Sequence, residues 1–154
     1  MTSLQYPRAR VDARIRPFTI GSAYRIFGLA HIGAPLSPHL SVSRFCDGRS
    51  GYSVLYAALT FDTAFAETIL RDRFVQRAQR TVSLDEILAR AWVRWSTKQA
   101  AVLTLIDLGG FGCLDLGAPT DAVRSRHQAA GQALSRAIYR AHEDVDGFVC
   151  THRG

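Results

Sequence analysis

The second half of the chain changes its hydrophobic period twice. Ala101 to Leu108 (AVLTLIDL) is a branched apolar run with strand character. Ser125 to His142 then repeats apolar positions at helical spacing, through Ala130, Ala133, Leu134, Ala137, Ile138 and Ala141. Asp146-Gly147 is a turn pair, and Phe148 to His152 reads as a closing strand. A strand, a helix and a strand in that order need a layer of sheet against a layer of helix.

The first half supplies the rest of both layers. Residues 1–20 read as an irregular basic lead-in, and 21–154 as one folded domain. Ser22 to Gly28 (SAYRIFG) alternates, with Ala23, Arg25 and Phe27 on one face. Gly33 to Gly51 is rich in glycine, proline and serine and reads as a long structured loop. Ser53 to Leu59 (SVLYAAL) predicts a buried strand, and Phe61 to Gln76 a helix capped by Thr60 or Asp62. Ser83 with Glu86 three residues on has capping-box spacing for a short helix over Leu84 to Ala91, while Ala91 to Ser96 (AWVRWS) also fits a strand. The whole predicts a single α+β domain of mixed β-sheets flanked by helices.

Composition excludes several classes. With 154 residues, 47% of them hydrophobic, the chain can build a core, and disorder or coiled coil is ruled out. No run approaches the roughly 18 apolar residues of a membrane span. The first twenty residues carry Arg8, Arg10, Arg14 and Arg16 rather than the apolar segment of a secretory signal, so a cytoplasmic location is expected. Cys46, Cys113 and Cys150 stand far apart and lack zinc-site spacing, so neither disulfides nor a metal is expected. The net charge of +6 suggests an anionic partner. Lys98 is the single lysine beside 18 arginines, a skew that a GC-rich genome also produces. No aromatic interleaving accompanies the N-terminal arginines, which leaves direct nucleic-acid binding weakly motivated.

Motif searches remove further classes. Gly110-Phe111-Gly112 would need a glycine where Asp115 stands to complete a dinucleotide-binding fingerprint. There is no P-loop, zincin, nucleophile-elbow or EF-hand pattern, and His31, His39, His127, His142 and His152 have no metal spacing. What remains is a set of polar residues in apolar context: Arg25, Arg44, Tyr56 and Glu67. Each also has a plain structural reading. Glu67 and Arg71 form a favourable i,i+4 helix pair, Tyr56 suits a core, Arg25 a strand edge and Arg44 a loop.

In this order the blocks YRIF (Tyr24 to Phe27), SRF (Ser43 to Phe45), LYAA (Leu55 to Ala58), TAFAE (Thr63 to Glu67) and DGFVCTHR (Asp146 to Arg153) resemble the RES domain family, from about Ala23 to the C-terminus. The resemblance implies a fold like that of ADP-ribosyltransferases and a toxin of a toxin–antitoxin pair that cleaves NAD at its nicotinamide–ribose bond. NAD is then a substrate, no cofactor is required, and an Xre-like helix-turn-helix antitoxin is the partner, with nucleic acid reached only through it. A homodimer is a further option. Glu67 is the implied carboxylate facing an oxocarbenium-like ribose. Arg25 and Arg44 would bind the pyrophosphate, and Tyr56 would orient the nicotinamide end. His152 stands where the family places its serine, as a third catalytic candidate. The family pattern continues beyond Gly154, which implies a domain lacking its last strand. Two other activities fit the same likeness: ADP-ribosyl transfer to a protein, and a catalytically silent module that binds the antitoxin or another protein.

Overall fold

The computed structural model describes residues 6–38, 42–71, 73, 74 and 76–150. The order of elements is α1 (Arg8–Arg14), β1 (Ile15–Gly28), a 3-10 turn (Leu29–His31), α2 (Phe61–Phe65) running into a π-helical turn (Ala66–Leu70), α3 (Leu84–Leu88), β2 (Arg90–Asp107), α4 (Gly112–Leu116), α5 (Asp121–Arg124), α6 (Ala129–Ala141) and β3 (Gly147–Val149). The three strands form one sheet in the order β1-β2-β3. The α+β class expected from the sequence is the class observed.

The chain divides into two compact units. One comprises Met1–Thr19, His39–Val54 and Ala101–Gly154, and the other Ile20–Pro38 and Leu55–Ala100. In the first, β3 runs parallel to the end of β2, pairing Leu105 with Gly147, Ile106 with Phe148 and Asp107 with Val149. Parallel neighbours need a long crossover, and α4, α5 and α6 provide it. The core gathers Val11, Ile106, Leu108, Leu116, Leu134 and Ile138 with Phe45 and Cys113. Gly131, Leu134, Ser135 and Ile138 form the buried stripe of α6, at the three- and four-residue spacing of a helix face.

The basic lead-in is a correction: over 8–20 it is helix and strand, not irregular chain. Val11 is fully buried. Arg8 bonds Asp12 at 2.6 Å and both oxygens of Asp144 at 2.6 and 2.8 Å. Those anchors hold a seven-residue helix that would be marginal alone, and Asp144 is too distant in sequence for a local pattern to reveal it. The helix expected over 125–142 is also interrupted. Ser125 is extended between α5 and α6, and its side chain accepts from the His127 amide at 3.0 Å, a local bond that competes with helix.

In the second unit Ala23, Phe27, Ala64 and Ile69 are buried. Tyr24 and Ala58 exchange two backbone hydrogen bonds of 2.7 and 2.9 Å. That isolated bridge is all that forms within the unit from the strand expected over 53–59, and Leu55, Tyr56 and Leu59 are exposed. Thr60 caps α2, accepting from the Thr63 amide at 3.1 Å, and Ser83 caps α3 through the Glu86 amide at 3.3 Å. The helix expected to reach Gln76 ends at Leu70, where Arg73 Nε donates to the Ile69 carbonyl at 3.0 Å. Both readings of the middle segment are realised: α3 takes its first part and β2 the rest. The strand expected over 101–108 is the end of that long strand, and the closing strand covers Gly147–Val149.

Gly131 tests the packing of α6. A Cβ there would sit 2.4 Å from the Arg44 carbonyl oxygen and 2.7 Å from that of Ala122, both backbone atoms. Helix propensity alone favours alanine over glycine by about 1 kcal/mol, but the clash outweighs it. Gly131→Ala is expected to lower the melting temperature, and an unchanged or higher melt would show that α6 can shift away from the loop.

Candidate functional site

Arg25 lies on β1 beside the Tyr24–Ala58 pair. Its face is the one expected, with Ala23 and Phe27 buried on either side. The half-buried guanidinium lies 6.0 Å from the Phe27 ring centroid, and Nη1 donates to the carbonyls of Pro35 at 2.8 Å and Ser37 at 3.3 Å. Burial pulls its pKa down. No carboxylate pairs with it among the described residues. A partly desolvated cation without a counter-ion is costly, and a bound anion would offset that cost.

Tyr56 stands two residues before Ala58 and is 44% exposed, so it is not the core tyrosine of a buried strand. Glu67 lies in the π-helical turn. Its carboxylate accepts from Arg71 Nη1 at 2.8 Å, with both side chains more than a third exposed. The plain i,i+4 reading of this pair is therefore realised. An exposed pair of this type contributes only about 0.3–0.5 kcal/mol, little enough for a ligand charge to displace it. π-Helical turns are rare and recur at functional sites, and nothing in the one-letter pattern signals this one.

Arg25, Tyr56 and Glu67 thus belong to one unit, organised around Tyr24. The Tyr24 ring meets Phe61 at the start of α2, edge-on at 6.4 Å between centroids, and Trp92 of β2 at 6.4 Å. The sequence reading carries Tyr24 only within the YRIF block and Trp92 only within AWVRWS, although period-2 alternation places each on a strand face.

Arg44 belongs to the other unit. Its Nη1 donates to the Ser125 carbonyl at 2.7 Å, across the break between α5 and α6. The loop that carries it is strapped to α6. Gln132 Nε2 donates to the carbonyls of Ser43 at 2.9 Å and Cys46 at 3.4 Å, and Arg136 reaches the Asp47 carboxylate and, at 3.0 Å, the Ser50 hydroxyl. His152 lies outside the described residues.

The glycine-rich segment 109–112 has a packing role. A helix opens at Gly112, but it is only five residues long. A Cβ on Gly112 would meet the Asp107 carbonyl oxygen at 2.3 Å, so close backbone approach accounts for the glycine. A cleft of about 410 Å³ opens here, lined by Arg14, Arg16, Asp107 and Asp115 with Gly109 to Phe111. It contains none of Arg25, Arg44, Tyr56 or Glu67. Arg14 already pairs within it with Asp107 at 3.4 Å and Asp115 at 3.3 Å. Among the described residues no group of three or more histidine, cysteine or acidic side chains gathers as a metal site, and no helix is long and apolar enough to cross a membrane.

The RES domain family model matches residues 22–151. The chain has no match among curated proteins or solved structures.

The Arg44 loop provides a pH test. Asp47 is held well below the ordinary carboxylate range, first by the Arg49 amide at 2.9 Å, then by the Ser50 hydroxyl at 2.7 Å and the Arg136 guanidinium, which together outweigh desolvation. A folded-state pKa depressed this way contributes stability that is fully present above the unfolded value of about 3.9 and is lost as pH falls through the folded one. Urea midpoints should therefore drop as pH decreases below about 4. Asp47→Asn should be less stable at neutral pH and show a shallower acid loss, and parallel profiles for the two proteins would remove Asp47 from the account.

Proposed function

Because this chain belongs to the RES domain family, whose model covers most of its length, we propose that it is the toxin of a toxin–antitoxin pair and breaks the nicotinamide–ribose bond of NAD. The observation that carries this reading is Glu67 in a π-helical turn, within the same compact unit as Arg25 and Tyr56. In the reaction the bonding pair of the glycosidic C–N bond leaves with the ring nitrogen, giving neutral nicotinamide and a ribose with oxocarbenium character. Water or phosphate then attacks the anomeric carbon and releases its proton to solvent.

Each residue has a distinct part. The Glu67 carboxylate exchanges Arg71 for the cationic ribose, an interaction strongest in the transition state and so catalytic rather than merely binding. Arg25, with no counter-ion among the described residues, takes a pyrophosphate oxygen through its donor fork. The exposed Tyr56 ring stacks on the nicotinamide end and orients it. The family likeness also assigns Arg44 to the pyrophosphate; in the structure its Nη1 donates to the Ser125 carbonyl. His152 would act as hydrogen-bond donor in the position of the family serine.

Glu67 paired with Arg71 also favours a second reading, a catalytically silent module that binds a helix-turn-helix antitoxin or another protein.

Nicotinamide release from NAD by the purified protein separates the two. The expected outcome is turnover in the parent and a loss on the order of a hundredfold or more in Glu67→Ala, with Arg71→Ala much less affected. Label from the ADP-ribose half should appear in a small product, whereas label on protein would mean transfer. Equal rates in parent and Glu67→Ala would remove the carboxylate from the mechanism, and absence of both turnover and calorimetric NAD binding would leave only the silent module.

A further inference from the structure

The first half of β2 alternates regularly. Arg90, Trp92, Arg94, Ser96 and Lys98 are exposed, while Ala91, Val93, Trp95 and Thr97 are partly covered. Side chains two residues apart share a strand face, so the exposed five form a single row. Trp92 is 59% exposed. It packs against two other rings, meeting Phe61 edge-on at 5.4 Å and Tyr24 at 6.4 Å between centroids. The Arg94 guanidinium lies 6.0 Å from the Tyr24 ring centroid. The row therefore presents a fixed aromatic platform with a cation on each side.

Arg8, Arg14, Arg71, Arg73 and Arg136 each pair with a carboxylate, whereas Arg90, Arg94 and Lys98, like Arg140 and several other arginines, enter no ion pair among the described residues; what sets the three apart is their alignment beside Trp92. Uncompensated charge beside exposed rings calls for an occupant that carries both negative charge and flat apolar faces. At about 3.3 Å per residue, Arg90 and Arg94 stand about 13 Å apart and the row extends about 26 Å from Arg90 to Lys98. NAD holds its two charges on adjacent phosphates and cannot meet all three cations. A chain with a phosphate at every unit can.

Two further observations narrow the occupant. Stacking on Trp92 requires a base free of its partner, which a duplex does not offer and a single strand does. Ser96 places a hydroxyl between Arg94 and Lys98, where it can exchange a hydrogen bond with a ribose 2′-hydroxyl. We propose that the exposed face of β2 binds single-stranded RNA, with Trp92 as the stacking platform and Arg90, Arg94 and Lys98 along the phosphates. The site stands on residues that the NAD reading does not use, so either can fail without the other.

Fluorescence anisotropy of the full chain with a labelled oligouridine of about twelve nucleotides, between about 50 and 200 mM salt, tests this. Three phosphate contacts predict a slope of log K on log salt near −2, at about −0.7 per contact on a single strand. Trp92→Ala should weaken binding about tenfold and Trp92→Phe should restore most of it, which separates stacking from misfolding. Arg94→Ala should reduce the slope by about one contact, whereas Arg140→Ala, an exposed cation on α6, should leave both slope and affinity unchanged. No binding at the lowest salt, or Trp92→Ala or Arg140→Ala behaving alike, overturns the proposal. Equal affinity for oligothymidine DNA of the same length overturns its assignment to RNA.

Discussion

Two hydrogen bonds between Tyr24 and Ala58 fix the arrangement on which the functional argument depends. They tie β1 to the segment leading into α2, although 34 positions separate the two residues in sequence, 58 less 24. Arg25 follows Tyr24 by one residue and Tyr56 precedes Ala58 by two. The capped α2 begins three residues beyond Ala58 and carries the chain to Glu67. The Tyr24 ring adds Phe61 and Trp92, so backbone pairing and aromatic packing converge on the same residue. Such an isolated bridge has little stability alone, and the rings around it supply the burial that a longer ladder would otherwise give.

Local chemistry was legible where one residue decides the outcome. Thr60 and Ser83 cap the helices expected of them because a hydroxyl before a helix has one nearby amide to satisfy. Ala23 and Phe27 are buried around Arg25 because strand period admits one assignment. The sequence pattern failed where distant partners decide. Arg8 and Arg14 look solvated until Asp107, Asp115 and Asp144 are brought to them. LYAA looks buried because its residues are apolar, yet nothing in composition tells a covered strand from an exposed connection. The π-helical turn at Glu67 has no composition of its own. Family likeness, by contrast, was readable from spacing, since five blocks in fixed order constrain a sequence more than any one of them.

The excess of positive charge resolves into separate populations. Arg8, Arg14, Arg73 and Arg136 are consumed by carboxylates. Arg25 and Arg44 donate to backbone carbonyls, and so do work in the fold that a lysine, lacking the planar fork, would do poorly. Among the described residues the row on β2 has neither kind of partner. An arginine-rich genome would supply arginines everywhere, but it does not account for Arg90, Arg94 and the chain's single lysine, Lys98, standing four residues apart on one strand face beside an exposed tryptophan. Composition and placement are therefore separate kinds of evidence, and only placement bears on binding.

The Glu67–Arg71 pair shows how the structural and functional readings of one residue can both hold. The pair is close, at 2.8 Å, yet more than a third of each side chain is exposed, so its net contribution is small against the energies at stake in catalysis. A carboxylate held by a weak surface partner is positioned in the absence of substrate and available in its presence. A deeply buried pair would invert this, because separating it would leave an uncompensated charge at a cost of several kcal/mol. Exposure, which from sequence favours a purely structural helix pair, is in the proposed reaction what would leave Glu67 able to meet a developing positive charge.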